Sequence, residues 1–296
     1  WDPGLGRGSA RTPTAADGRP PAGGARGSPH LDAPVRTIGT GLAPALCTMH
    51  TTSVETLWET APTATATFDP RGIAHLPPAA QRYFTHALAP GAPLSTAARI
   101  EMTGTLRLDG AWCPFVATQV LRWDRGFIWK ARATVKGLPV FGSDRLLDGE
   151  GAMRWKLLGL FPVVTAEGAD IGRSAAGRLH AEAFWMPGVL LGPDVRWSSE
   201  DSSHATATLT AHGEPTSVEL GLTADGSVRT IRLARWGDLG GGPFHYETFG
   251  GEADEDRTFG GVTLPTRYRV GWHYGTDRFE SEGEFFRCRF ESVTYR

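Results

Sequence analysis

From Ala98 to the last residue the sequence reads as strand after strand, with a single long interruption at 150–187 (EGAMRWKLLGLFPVVTAEGADIGRSAAGRLHAEAFWMP). That stretch starts as a strand, passes Pro162 and carries one amphipathic helix that Pro187-Gly188 ends. Ile171, Ala175, Leu179 and Ala183 recur every fourth residue, with Arg173, Arg178 and His180 elsewhere, and Asp170 stands where an N-cap belongs. A lone helix among strands has one place to bury its apolar stripe, the face of the sheet those strands make.

The strands themselves are legible from alternation and turn chemistry. Segments 98–108, 112–121, 127–135 and 138–147 follow one another, with Asp109-Gly110 and Asp148-Gly149 as hairpin turns. In the third of these Phe127, Trp129, Ala131, Ala133 and Val135 share a face, and Lys130 and Arg132 lie on the other. After Met153–Leu158, Gly159 to Pro162 reads as a bend. Strands at 195–198, 204–212, 216–222, 228–234, 244–249, 263–274 and 285–295 complete a meander of roughly a dozen, with no strand–helix alternation. A second helix is expected at 77–88, opened by Pro77-Pro78 and closed by Pro90-Gly91. The expected fold is mainly β with few helices (α+β): a large curved antiparallel sheet or half-barrel packed on one central helix at 171–185. Residues 58–296 make one domain on this reading. Residues 1–57, Gly-, Pro- and Ala-rich with no aromatic between positions 2 and 57, are a disordered or non-domain extension.

A formal net charge of −2 argues against nucleic acid as a partner. No apolar run is long enough for a membrane-spanning helix. The first residues contain no apolar leader core, so a cytoplasmic location is expected. Cys47, Cys113 and Cys288 are far apart and form no CxxC, leaving one disulfide open as a possibility and a reducing setting favoured. The glycines of 237–242 lack the Lys-Ser/Thr of a phosphate loop, and GxGxxG, HExxH and GxSxG motifs are missing, so no cofactor is implied. The sequence specifies no oligomeric state.

Two kinds of residue could carry function. Ten Trp and fourteen Phe against five Tyr make an apolar aromatic set spread over nearly every strand: Trp123, Trp129, Trp155, Phe184, Trp185, Trp197, Trp236, Phe244 and Trp272. Such rings either line a pocket for an apolar guest or fill a core. Among titratable groups, Asp170, Glu182, His245 and His273 are the acid–base candidates. Glu182 has the duller alternative of an i,i+4 pair with Arg178. His245 and Glu247 share a strand face and could hold a metal only with a third ligand such as His273, so no metal is assigned. Lys130, Arg132, Arg154 and Lys156 alternate with Trp129, Trp155 and Leu157, making either a solvated face or a field that steers an anionic headgroup.

RYF-x-HAL-x-PG at 82–91, W-x-PF at 112–115, FIW-x-ARA at 127–133, DG-x-GAMRWKLLGL at 148–160 and GADIGRSAAGR-x-x-AEAFWMP at 168–187 occur in order. RWGD at 235–238 and the long run from Phe259 to Phe290 follow them. Together these resemble the DUF6544/DUF6920 type of uncharacterised bacterial protein over about 75–296. The resemblance implies no reaction. Separately, at the level of fold, the pattern is similar to the curved-sheet-plus-helix shape of periplasmic lipoprotein carriers, where an apolar cavity holds acyl chains, and an apolar or amphiphilic, lipid-like small molecule is the expected partner. Among residues that fit its motifs, Trp129, Trp155, Arg173, Trp185, Trp236 and Trp272 are the ligand-binding candidates. An enzyme acting on an apolar substrate, and an interaction module with a solid aromatic core, are the alternatives. A compact interior with no pocket larger than ~300 Å³ would favour the module.

Overall fold

A computed structural model describes residues 52–239 and 241–296. The extension expected at 1–57 therefore lies outside the described residues up to position 51. Its boundary is corrected, because residue 57 falls inside helix α1 (Val54–Glu59), capped by the Ser53 side chain. Val54 and Leu57 of α1 are buried against Val120 and Ile128, so this helix covers the outer side of the sheet.

The first six strands form a continuous meander: β1 (Ala97–Leu108), β2 (Ala111–Arg122), β3 (Gly126–Val135), β4 (Leu138–Leu147), β5 (Glu150–Leu157) and β6 (Phe161–Glu167). Helices α2 (Pro78–Ala87), α3 (Ala169–Glu182) and α4 (Pro187–Leu190) are the other α-helices among the described residues, with shorter helical turns at Pro70–Ile73, Ala183–Trp185 and Phe279–Gly283. A second meander holds β7 (Arg196–Ser198), β8 (His204–Ala211), β9 (Glu214–Leu222), β10 (Val228–Gly237), β11 (His245–Phe259), β12 (Val262–Trp272) and β13 (Glu284–Tyr295). All thirteen belong to one antiparallel sheet in the order β6-β5-β4-β3-β2-β1-β13-β12-β11-β10-β9-β8-β7. The two meanders join where β1 pairs with β13, from Ala98 opposite Tyr295 to Leu106 opposite Phe286. The sheet is not closed: β6 and β7 are free edges, and the chain between them carries α3.

That connection sets the curvature. Helix α3 packs on β5 at one side and on β10 at the other, strands eight places apart in the sheet. Flat, they would stand about 38 Å apart at the usual strand spacing, whereas a helix is only ~10–12 Å across. The sheet therefore wraps around α3. Close approach at the helix start needs Gly151 of β5 and Gly172 of α3, since a Cβ on Gly151 would lie 2.6 Å from the Gly172 amide nitrogen.

Tight turns come from residue pairs with φ positive at both positions: Asp109-Gly110, Lys136-Gly137, Asp148-Gly149, Leu158-Gly159 and His212-Gly213. This is the hairpin geometry that matches strand twist. Three expectations need correction. The bend expected at 159–162 is present as the turn at 158–160 but ends there, and strand β6, absent from the sequence reading, starts at Phe161: an edge strand tolerates Pro162 and a register shift at Trp155/Lys156 absorbs it. Strand β11 continues to Phe259 through Gly250-Gly251, glycines that let neighbouring backbone come close rather than turn the chain: a Cβ on Gly251 would meet the Arg269 carbonyl at 2.1 Å. The N-cap of α3 is Gly168 at φ 116°, not Asp170, because the chain leaves β6 through a left-handed residue.

Candidate functional site

Polar residues on inward positions mark the interior. Trp155 of β5 packs over Gly142 of β4, where a Cβ would meet the indole at 2.3 Å. Its Nε1 donates to Asp144 Oδ1 at 2.8 Å. Arg178 of α3 stands 3.6 Å from the other Asp144 oxygen, with its guanidinium 4.7 Å from the Phe127 ring and 5.4 Å from Trp129. Arg178 donates to Glu182 Oε1 at 2.7 Å and to Gln119 Oε1 at 3.1 Å, and Gln119 donates to Glu182 Oε2 at 2.5 Å. Gln119, Asp144 and Glu182 are buried. The result is a compact ionic network under the helix, with both Glu182 oxygens occupied.

Between this network and the sheet lies a space of only about 60 Å³, lined by Trp129, Arg178, Glu182, Trp185, Arg235 and Cys288. That is room for about two waters, not for an apolar guest. The Trp129 Nε1 is buried without a partner. Arg235 spans 4.6 Å to Phe249 and 5.2 Å to Trp272, and it donates to the Ser174 carbonyl at 3.1 Å. Around α3, then, the rings mainly fill a core.

A larger apolar opening, about 270 Å³, lies at the other side of Trp155, among the ends of β1 and β3 to β6. Leu106, Val135, Leu138, Val140, Leu157 and Val164 line it, and Lys136 is its single charged residue. The Trp155 ring, 5.6 Å from that of Trp129, separates this cleft from the interior. Leu138 and Val163 are exposed at its rim, so it opens to solvent.

The remaining sequence candidates scatter. Arg173 lies 4.4 Å over Trp236 and 5.1 Å over Tyr246 and pairs with Glu214 at 3.1 Å. Trp236 Nε1 donates to Asp170 at 2.9 Å, so Asp170 anchors this exposed aromatic group. Trp272 is buried against Phe249. His273 Nδ1 is 3.5 Å from Glu247, while His245 bonds the Pro243 carbonyl at 3.0 Å. No hydrogen bond or ion pair among the described residues joins Asp170, Glu182, His245 and His273 to one another. Among the described residues no group of three or more His, Cys, Asp or Glu could hold a metal. Cys113 and Cys288 are buried and unbonded, and burial pushes the Cys288 thiol well above its ordinary value.

Sequence reasoning missed Gln119 and Asp144, although a polar residue at an inward position of an alternating strand is a readable signal. It also placed His180 off the helix stripe. His180 is fully buried, 6.1 Å edge-on to Trp123, and desolvation lowers its pKa to about 4.

The chain is similar to several solved structures at a low level. The LolA superfamily protein of Nitrosomonas europaea is 12% identical, with a TM-score of 0.37 over 80% of this chain and 94% of that one. A Vibrio parahaemolyticus domain described as an outer membrane lipoprotein-sorting protein is 9% identical, with a TM-score of 0.32 over 68% and 85%. A DUF1329 family protein of Desulfovibrio piger is 11% identical, with a TM-score of 0.28 over 68% and 86%. The cytoplasmic location expected from the sequence does not stand beside these likenesses, one of them to a domain named an outer membrane lipoprotein-sorting protein, and it is withdrawn. The expectation had rested on the first residues alone, and a sequence beginning at Trp1 does not report on a leader. Among the described residues no helix is long and apolar enough to cross a membrane. No curated protein matches the sequence. The model of DUF6544, a family of unknown function, matches residues 66–281, well over half of the sequence, and the chain belongs to that family.

Proposed function

We propose that this protein binds the apolar part of an amphiphilic small molecule in the cleft between the ends of β1 and β3 to β6. The observation that carries the reading is an opening of about 270 Å³ with one charged residue in its lining and exposed leucine and valine at its rim. Its size is just below the ~300–1,000 Å³ usual for small-molecule sites, which suits a single chain or ring. Of the six aromatic and cationic binding candidates, Trp155 is the one retained as a direct contact, forming the inner wall. Trp129 supports it from behind, and Asp144 fixes its orientation. Lys136 at the rim suits an anionic head left in water. The acid–base enzyme alternative is not pursued, because both Glu182 oxygens are engaged and no partner from the candidate set reaches it.

Titration with a dansyl-labelled medium-chain fatty acid, read by energy transfer from tryptophan, tests this. Saturable binding is expected. Val140→Phe and Ala133→Leu, which fill the cleft with apolar atoms, should each weaken it about tenfold, equivalent to ~1.4 kcal/mol. Binding unchanged by both substitutions, or no saturable binding by the unmodified protein, overturns the proposal.

A further inference from the structure

The β5–β6 turn is built against ordinary turn chemistry. Leu158 occupies a left-handed position at φ 54°, where Asn, Asp or Gly would sit more easily. Beyond it Leu160 is 72% and Phe161 60% exposed, and Val163, Leu138 and Phe141 are exposed beside them. Scattered exposed apolar residues are ordinary, but a contiguous group at the end of two neighbouring hairpins marks an interaction surface.

The charges on the outer face of β3 to β5 behind this tip are cationic. Strand register sets Arg132 opposite Phe141, Phe141 opposite Lys156, and Lys156 opposite Pro162. Lys136 stands in the adjacent turn, and Lys130 and Arg154 lie exposed further down the same outer face. Acidic residues from β2 to β6 are placed elsewhere. Asp124, Asp148 and Glu150 sit at the opposite strand ends, Asp144 points inward, and Glu167, at the far end of β6, pairs with Arg154 at 3.2 Å. Asp109 sits at this end in the neighbouring β1–β2 turn, and Glu280, Glu282 and Glu284 lie beyond it beside the end of β1, where Arg107 donates to the Glu280 and Ser281 carbonyls.

We infer that this tip docks on a lipid bilayer with anionic headgroups: Leu158, Leu160 and Phe161 enter the interface, and Arg132, Lys136 and Lys156 meet the headgroups. An apolar projection collared by cations gains from both apolar burial and the negative surface potential. A second copy would bring the same cations against themselves, so charge complementarity favours the lipid surface. The inference does not depend on the cleft holding a ligand. If it does, the rim residue Leu138 places the opening next to the docked surface, where exchange with the bilayer is direct.

Flotation of the full chain with phosphatidylcholine vesicles, with and without phosphatidylglycerol, is the test. Binding to the anionic vesicles is expected, falling as salt rises. Leu160→Asp with Phe161→Asp should lower partition at least about tenfold. Because both side chains are exposed, the melting temperature should stay the same. Lys136→Glu with Lys156→Glu should erase the preference for phosphatidylglycerol. Failure of the unmodified chain to float at low salt, or full flotation of the Asp variant, overturns the inference. A sedimentation-detected dimer that Leu160→Asp dissociates, without vesicle binding, assigns the tip to a second copy instead. The Asp variant should still bind the dansyl fatty acid, so failure of docking and failure of the cleft reading are told apart.

Discussion

Arg178 neutralises two carboxylates inside an apolar interior, and that asymmetry decides what its removal does. In Arg178→Met, Glu182 and Asp144 keep their burial and lose the Arg178 guanidinium, so stability should fall by ~3–5 kcal/mol. Adding Glu182→Leu should restore part of it, as urea unfolding of both variants would show. His180 gives a pH dependence of defined sign. Burial holds its folded pKa at about 4 against 6.5, so the unfolded chain takes up more protons between those values. Its contribution is complete above pH 6.5 and is lost as pH falls toward 4, roughly 3 kcal/mol in all. His212, also lowered by desolvation, adds in the same direction. His180→Leu should flatten the stability profile between pH 6.5 and 4. At this scale the sequence was half readable. The i,i+4 spacing announced Arg178 with Glu182, and alternation turned Trp129 and Trp155 inward. What joins them, Gln119 and Asp144, lies 59 and 34 positions from Arg178 in the chain, a distance only strand pairing closes.

Helix and strand positions followed from local chemistry, and their errors share a cause. Asp-Gly announced two hairpins, whereas Lys136, Leu158 and His212 occupy the same left-handed position without the usual residue, so those turns were legible only from the breaks in alternation and from the glycine that follows. Pro162 and Gly250-Gly251 read as breaks because their tolerance depends on which strand is an edge and how near its neighbour comes. The contact of α3 with β5 leads to a sharp expectation. Gly151→Ala pushes a methyl into the Gly172 backbone and should cost ~1–3 kcal/mol, read as a lower midpoint in urea. Leu158→Gly relieves the left-handed strain and should raise stability by ~1 kcal/mol, while reducing vesicle partition. A thermal melt and a flotation assay on that one variant would therefore move in opposite directions.

For the described domain, the sequential antiparallel order and the central helix were foreseeable from pattern alone. The join was not: nothing local tells β1 to pair with β13, the most distant strand in the sequence. Since that pair sits in the middle of the sheet, folding waits on contacts of very long separation, the kind that slows folding most. Termination at Gly283 would remove β13 and leave β1 and β12 without a neighbour between them. Such a chain should lose near-ultraviolet circular dichroism and cooperative unfolding together. The stretch from Gly168 to Val195 also acquires a meaning beyond packing. It tethers one border of the sheet to the other, so its length works like a belt hole. Editing that single connector would tighten or relax the girth of the whole structure while leaving every strand as it is.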